Sequence, residues 1–298
     1  AFDKAGFVAA DGVDVRPLAE HRSRGKELVV ICTPGSTHVS VAQAMALSSD
    51  SRLLVEKPLA TRLEDLAAWE AISRSNPVFV GHNYRFKSNV LQMLAYLAAH
   101  NPGMLQRVVL EFQSPPVTYD GALWLRNERS ARTLLLDYSL HFLDLATMFS
   151  KGPWVGGGER VQIDAAGQTH LIEGTARSPE YAVSYLLRQG FGRKTASLDF
   201  VYENYSINLS FFPDTFNAVH GSDGPVPNAA QFFTSSWSLA KKISSRLRGR
   251  TDDHSHVRLY EQALSEVPEA TPIHLSNLLP FYTFILGLAE RVYGGEVA

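Results

Sequence analysis

Cysteine is almost missing: Cys32 stands alone among 298 residues, so an internal disulfide or a thiolate zinc cluster is excluded and a reducing compartment is favoured. The N-x-S triplets at Asn204 and Asn208 accordingly read as chance. Long hydrophobic runs are missing too. No stretch reaches the roughly 18 apolar residues that a bilayer span needs, and the opening residues lack a basic-then-apolar signal pattern. Nor is there an excess of either charge. With 28 Lys and Arg against 30 Asp and Glu, no broad field invites nucleic acid or an anionic membrane. A cytoplasmic protein with a small-molecule partner is what these absences leave. Its composition, 45% hydrophobic and 19% charged, is that of a globular chain long enough for two packed domains.

Hydrophobic patterning divides the chain near residue 82. Ala1 opens in what reads as the tail of a helix, so residues upstream are expected. Val13 to Val15 reads as a strand and Leu18 to Arg24 as a short helix. Glu27 to Cys32 is an apolar run ending at Thr33-Pro34-Gly35, the pattern of a buried parallel strand whose carboxyl end opens into a loop. His38 to Leu47 is helical, and Arg52 to Val55 is a strand closed by Glu56-Lys57-Pro58, which completes a βαβ unit. Thr61 and Glu64 predict a capping box before a helix that presents Leu63, Leu66, Trp69 and Ile72 on one face, and Val78 to Val80 is the next strand. Residues 1–82 thus read as a truncated, Rossmann-like, doubly wound parallel α/β domain without its first βα unit.

Beyond Asn83 the rhythm changes. Helix at Val90 to Ala99, strand at Val108 to Phe112 and an apolar helix at Leu134 to Phe149 precede a mainly antiparallel region from Gln162 to Phe212. There Tyr181, Val183, Tyr185 and Leu187 alternate with their neighbours, as do Ile207, Leu209 and Phe211. Gly221 to Asn228 is turn-rich, Ser238 to Arg250 is a basic amphipathic piece, and Leu278 to Val292 is a closing helix. Residues 83–298 read as an α+β domain, an open-faced sheet with flanking helices.

Chemistry-bearing residues gather at three places. At Cys32-Thr33-Pro34 with His38, a strand end meets a helix start and offers backbone N–H groups to a polar ligand, although a plain βα loop has the same look. At Glu56-Lys57-Pro58, ionisable groups follow an apolar strand at the ligand-facing edge of the sheet, where a lysine can be partly desolvated; taken singly, a surface ion pair explains them as well. At Asp137 and His141, four apart on a helix with Asp144 three further on, a carboxylate shares a face with an imidazole, which suits a proton acceptor for an alcohol. The alternate histidines of Asp252-Asp253-His254-Ser255-His256 lack further ligands and are read as a solvated loop, with no metal.

In order, the strand-end V-V-I-C-T-P-x-x-x-H, the V-E-K-P-L-A block, G-H-N-Y-R-F and D-x-x-x-H-x-x-D resemble the Gfo/Idh/MocA oxidoreductases, over about residues 13 to 150. The resemblance implies NAD or NADP over the carboxyl ends of the parallel strands, beside Cys32, Thr33, Pro34 and His38. Glu56 and Lys57 would approach the nicotinamide ribose and the substrate, with Asn83 and Arg85 nearby. Lys57, Asp137 and His141 would form the catalytic set acting on a sugar or polyol, and a homodimer or homotetramer would cover the apolar face of the sheet. Two features depart from the family. No G-x-G-x-x-G turn occurs in the chain, and Ser139 stands where a glycine is frequent, which would narrow the pocket. The missing turn leaves a second possibility, a non-catalytic sugar-binding or protein-interaction module.

Overall fold

The computed structural model describes residues 26–45, 47–115, 134–164, 169–220 and 254–293. The early strand, the helix at Leu18 to Arg24, the turn-rich stretch and the basic piece expected from the sequence lie outside the described residues. Two units emerge, residues 1–81 with 261–282 and residues 82–260 with 283–298. A single cut after residue 82 does not provide for 261–282 joining the first unit.

In the first unit, short apolar runs form β1 (Leu28–Ile31), β2 (Arg52–Val55) and β3 (Val78–Val80), all parallel, in the order β1-β2-β3. Leu53 to Val55 and Val78 to Val80 are buried, whereas Val30 on β1 is 38% exposed. An apolar run marks full burial only where both faces are covered, and β1 is the edge of the described sheet. Helix α1 (His38–Ala44) is shorter than its pattern suggested and follows a 3-10 turn at Gly35–Thr37.

Helix α2 (Asp65–Ser73) starts later than Thr61, and the expected capping box does not form. Arg62 takes the Glu64 carboxylate at 2.6 Å, while the preceding Leu59 is fully buried and pinned at both ends. Its N–H donates to the Tyr282 hydroxyl at 3.2 Å and its carbonyl accepts from the Trp69 indole at 3.0 Å. Residues 261–282 are stitched to the sheet by Val80 N–H to the Ile273 carbonyl at 3.0 Å and by the Arg52 guanidinium to the Ala263 and Ser265 carbonyls at 3.0 and 2.6 Å.

The second unit carries α3 (Ser88–Ala99), β4 (Leu105–Ser114), α4 (Leu140–Thr147) and strands β5 (Val155–Ile163), β6 (Thr169–Arg177), β7 (Ala182–Gln189), β8 (Thr195–Tyr202), β9 (Tyr205–Phe211) and β10 (Thr215–His220). The sheet has seven strands in the order β10-β9-β8-β4-β7-β6-β5, antiparallel except where β4 pairs in parallel with β7. Inward and outward residues alternate along β7, β8 and β9, as the period-two pattern required. Gly174 on β6 sits so close to Tyr185 that a Cβ would lie 2.5 Å from its hydroxyl.

Helices α3 and α4 of the same chain pack on the apolar face: Phe142 of α4 meets Phe112 and Phe211 at 5.2 Å, and Phe149, just beyond α4, meets Phe200 at 5.7 Å. The reason given for a second subunit therefore needs correction, because this face is already covered within the unit. The opposite face carries Glu111, Ser197 and Ser210 across neighbouring strands. Two helices close the chain, α5 (Ser255–Ala263) and α6 (Leu275–Tyr293, with Pro280 inside). Among the described residues no helix is long and apolar enough to cross a membrane.

Candidate active site

In the first unit the strand ends are level. Ile31 is the register partner of Val55, Glu56 N–H donates to the Ile31 carbonyl at 2.9 Å, and Gly81 N–H donates to the Val55 carbonyl at 2.8 Å. Thr33, Glu56 and Lys57 therefore leave neighbouring carboxyl ends of a parallel sheet, the edge where α/β folds take ligands. Gly81 has a reason to be glycine: a Cβ there would stand 3.1 Å from Glu56 Oε2 and 3.3 Å from its Cα. The turn after Thr33 is closed by Thr37, whose N–H and hydroxyl both donate to the Pro34 carbonyl, at 2.8 and 2.7 Å.

His38 ties the two loops together. Its ring nitrogens lie 3.0 Å from the Pro58 carbonyl and 2.6 Å from the Thr33 carbonyl, and the residue is 1% exposed. Burial pushes its pKa below the ordinary histidine value, opposed by those carbonyls and by the charge of Glu56. A neutral ring has one N–H, so it donates to one carbonyl at a time. His38, expected beside a cofactor, is thus a brace between the loops that would meet it.

The Cys32 residue is exposed as a whole, yet its thiol is partly shielded and near Glu56; burial first, then that charge, push its pKa up. The Thr33 hydroxyl is buried and has no hydrogen-bond partner among the described residues. An orphaned polar atom at a strand end fits a polar ligand such as a dinucleotide, which Thr33, Pro34 and the half-buried Glu56 and Lys57 would hold.

In the second unit, the helical face expected for Asp137, His141 and Asp144 is not what forms. Leu134–Tyr138 is a π-helical turn, closed by Ser139 N–H to the Leu134 carbonyl at 3.1 Å, and α4 begins only at Leu140. The wider turn shifts the angular phase, so a four-residue separation no longer guarantees a shared face. Ser139 is buried, with its hydroxyl on the Leu134 carbonyl at 2.7 Å; it closes the turn, which corrects the expectation that it narrows a pocket. Asp137 and His141 are both half-buried.

Asp144 goes inward. It is 0% exposed and accepts a two-pronged bond from Arg85, Nε to Oδ2 at 2.8 Å and Nη2 to Oδ1 at 2.6 Å, with His82 Nδ1 3.3 Å from Oδ2. Arg85, expected near cofactor and substrate, is engaged in this buried pair. Asn83, expected likewise, donates its amide to Ser255 Oγ at 3.4 Å and His256 Nε2 at 3.0 Å, anchoring the start of α5. His256, from the histidine pair weighed as a metal site, is thus an acceptor for Asn83. Asp252 and Asp253 lie outside the described residues, and among those described no group of three or more His, Cys, Asp or Glu could hold a metal ion.

Sequence reasoning missed His82 and Tyr84. The Tyr84 ring stacks on His141 with centroids 4.3 Å apart and planes 6° from parallel, and His82 meets the same imidazole edge-on at 5.9 Å. The usable signal was an Asp between Leu143 and Leu145: a carboxylate in so apolar a helix requires a cation, and Arg85 sits in the motif that also holds His82 and Tyr84.

Comparison with known proteins gives a family for the first stretch and a fold for the whole. Residues 7–84 match the model of an oxidoreductase family with an NAD-binding Rossmann fold. A dehydrogenase from Chromobacterium violaceum is 19% identical, covering 90% of this chain and 77% of that one, with a TM-score of 0.60. A UDP-N-acetylglucosamine 3-dehydrogenase from Acidithiobacillus ferrooxidans is 17% identical over 80% and 76%, with a TM-score of 0.52. A 3-ketoreductase from Actinomadura kijaniata, solved with NADP, is 14% identical over 78% and 73%, with a TM-score of 0.51. No curated protein matches the chain by sequence. Residues 7–84 thus match the NAD-binding Rossmann segment of the Gfo/Idh/MocA oxidoreductase family, and the likeness of the chain to solved dehydrogenases is one of fold.

Proposed function

We propose that the chain works as a nicotinamide-dependent oxidoreductase on a hydroxyl-bearing carbon, or the corresponding ketone, of a sugar or polyol. One observation carries the reading: the buried, unpartnered Thr33 hydroxyl stands at the carboxyl edge that also presents Glu56 and Lys57, inside the stretch matching an NAD-binding family. The names of two structural relatives, a sugar 3-dehydrogenase and a 3-ketoreductase solved with NADP, support hydroxyl–ketone chemistry and either cofactor. When bound, the nicotinamide supplies the hydride acceptor or donor.

The chain's own residues handle the proton and the charge. His141 takes the hydroxyl proton as the alcohol carbon is oxidised and returns it in reduction. Lys57 offsets the negative charge developing on the oxygen, and Asp137 orients the substrate or the imidazole. Thr33, Pro34 and Glu56 bind the cofactor, while His38 holds their loops. Arg85 and Asn83 act behind this set, through Asp144 and α5. A single cysteine suits the cytoplasm. Assembly into dimers or tetramers belongs to the proposal only through the sheet face that α3 and α4 leave uncovered; light scattering that finds monomers alone at micromolar concentration removes it.

Titration with NADH and with NADPH, followed by nicotinamide fluorescence, tests the cofactor; absence of binding to either sinks the reading. Turnover is then followed on hexoses, polyols and nucleotide sugars. Lys57→Ala and His141→Ala are each expected to lower kcat/KM by about 10²- to 10⁴-fold with the fold retained, and a fully active His141→Ala removes the base.

A further inference from the structure

We infer that Tyr84 is a positioning residue for His141, setting the plane of the imidazole by face-to-face stacking; this rests on His141 being the proton acceptor. His141 is the second residue of α4, directly after the π-helical turn, so regular helix on only one side constrains its side chain. An imidazole that swings about its terminal torsion moves its nitrogens off the line to a hydroxyl, and that torsion is broad for histidine. Stacking occupies a face of the ring and leaves its nitrogens at the edge. With centroids 4.3 Å apart and planes 6° from parallel, Tyr84 supplies such a constraint. His82, edge-on at 5.9 Å and 89°, limits the imidazole from a second direction.

A positioning ring has to be held itself. Tyr84 is packed edge-on against Phe142 at 5.4 Å and stacked with Phe211 at 5.8 Å. The Lys87 ammonium lies 4.7 Å from the Tyr84 centroid and 3.5 Å from the Asp214 carboxylate, which fixes the cation over the ring. His82 is backed by Asp144, which Arg85 grips from the other side. The two rings against His141 therefore each rest on a charged pair, Tyr84 on Lys87 with Asp214 of the β9–β10 turn and His82 on Asp144 of α4 with Arg85. The G-H-N-Y-R-F segment acquires a function through its aromatic residue as well as its arginine.

The test uses the full chain and compares Tyr84→Leu with Tyr84→Phe. Tyr84→Leu is expected to lower kcat by about 10- to 100-fold, the scale of a misplaced reacting group, with KM changed by less than about 3-fold. Tyr84→Phe keeps the stack and is expected to stay within about 3-fold of the parent. In ligand-free protein with labelled histidine, the His141 ring protons, assigned by their loss in His141→Gln, are expected upfield in the parent and in Tyr84→Phe and shifted back in Tyr84→Leu. If Tyr84→Leu does not fold, Tyr84→Met, which fills the space without a ring, takes its place with the same expectation. An inactive His141→Ala beside a Tyr84→Leu or Tyr84→Met of parental kcat overturns the positioning role alone. Equal losses in the Phe and Leu variants overturn the stacking account, and a fully active His141→Ala overturns both readings.

Discussion

The two units hold their candidate groups in place by different means. In the first, Thr33, Glu56 and Lys57 sit on loops at level strand ends, and what fixes the loops is hydrogen bonding to backbone carbonyls, Thr37 on the Pro34 carbonyl and the His38 ring between two carbonyls, together with a glycine that lets Glu56 approach β3. In the second, His141 sits at a helix start among side chains: the Tyr84 ring stacks on it, His82 meets it edge-on, and Asp144, gripped by Arg85, lies behind His82. Loops held this way are sensitive to a change of size at a close approach. A side-chain network fails when one partner is removed.

The strongest way to break that contrast is Asp144→Ala, which strands the Arg85 guanidinium in the interior. About 3–5 kcal/mol of stability is expected to be lost. Hydrogen exchange should show it in α3, α4 and the seven-stranded sheet and not in β1, β2 and β3; equal loss in both places means the units do not hold their groups separately. Gly81→Val tests the other side. The new side chain meets Glu56 at its Cα as well as at its carboxylate, so about 1–3 kcal/mol is expected to be lost from the first unit, with weaker NADH binding by fluorescence titration.

Smaller effects come from pH, and they have opposite signs in the two units. His38 and His274, in the first unit, are both held below the ordinary histidine value, chiefly by burial. The fold favours their neutral rings, so this contribution is whole above about pH 6.5 and is lost as pH falls through the folded-state values. Tyr181, Tyr185 and Tyr202, in the second unit, are raised by burial, Tyr202 to about 12. Their contribution is whole below about pH 10 and is lost as pH rises through the folded-state values. Urea unfolding read separately at Trp69 and Trp154 should show the first unit weakening first in acid and the second first in alkali; the same order at both ends removes the distinction. The smallest effect is expected from Arg62→Ala. It breaks an ion pair whose side chains are 63% and 69% exposed, and under about 0.5 kcal/mol should be lost in the same measurement.

Much of the first unit was legible in the sequence because its signals are local. Apolar runs of a few residues, each ended by a polar loop, predict parallel strands with ligand-facing ends, and Glu56 and Lys57 fall where that pattern puts them. Alternation gave β7 and β9 for the same reason. The failures share a cause as well. Thr61 and Glu64 have the spacing of a capping box, but α2 begins at Asp65 without a side-chain cap, and the Glu64 carboxylate pairs with Arg62. Asp137 and His141 have the spacing of a helical face, but a π-helical turn closed by Ser139 changes the phase.

Residue order alone determined the parallel strands and their loop-bearing ends, the alternating sheet, and the family resemblance, since each depends on neighbours a few positions apart. Only the tertiary structure decided that Arg85 belongs to Asp144, 59 residues away, that Tyr84 lies on His141, and that the sheet's apolar face is covered by helices of its own chain. The physical reason is that a buried charge or an exposed apolar face only states a requirement. Which distant group meets it is settled by packing.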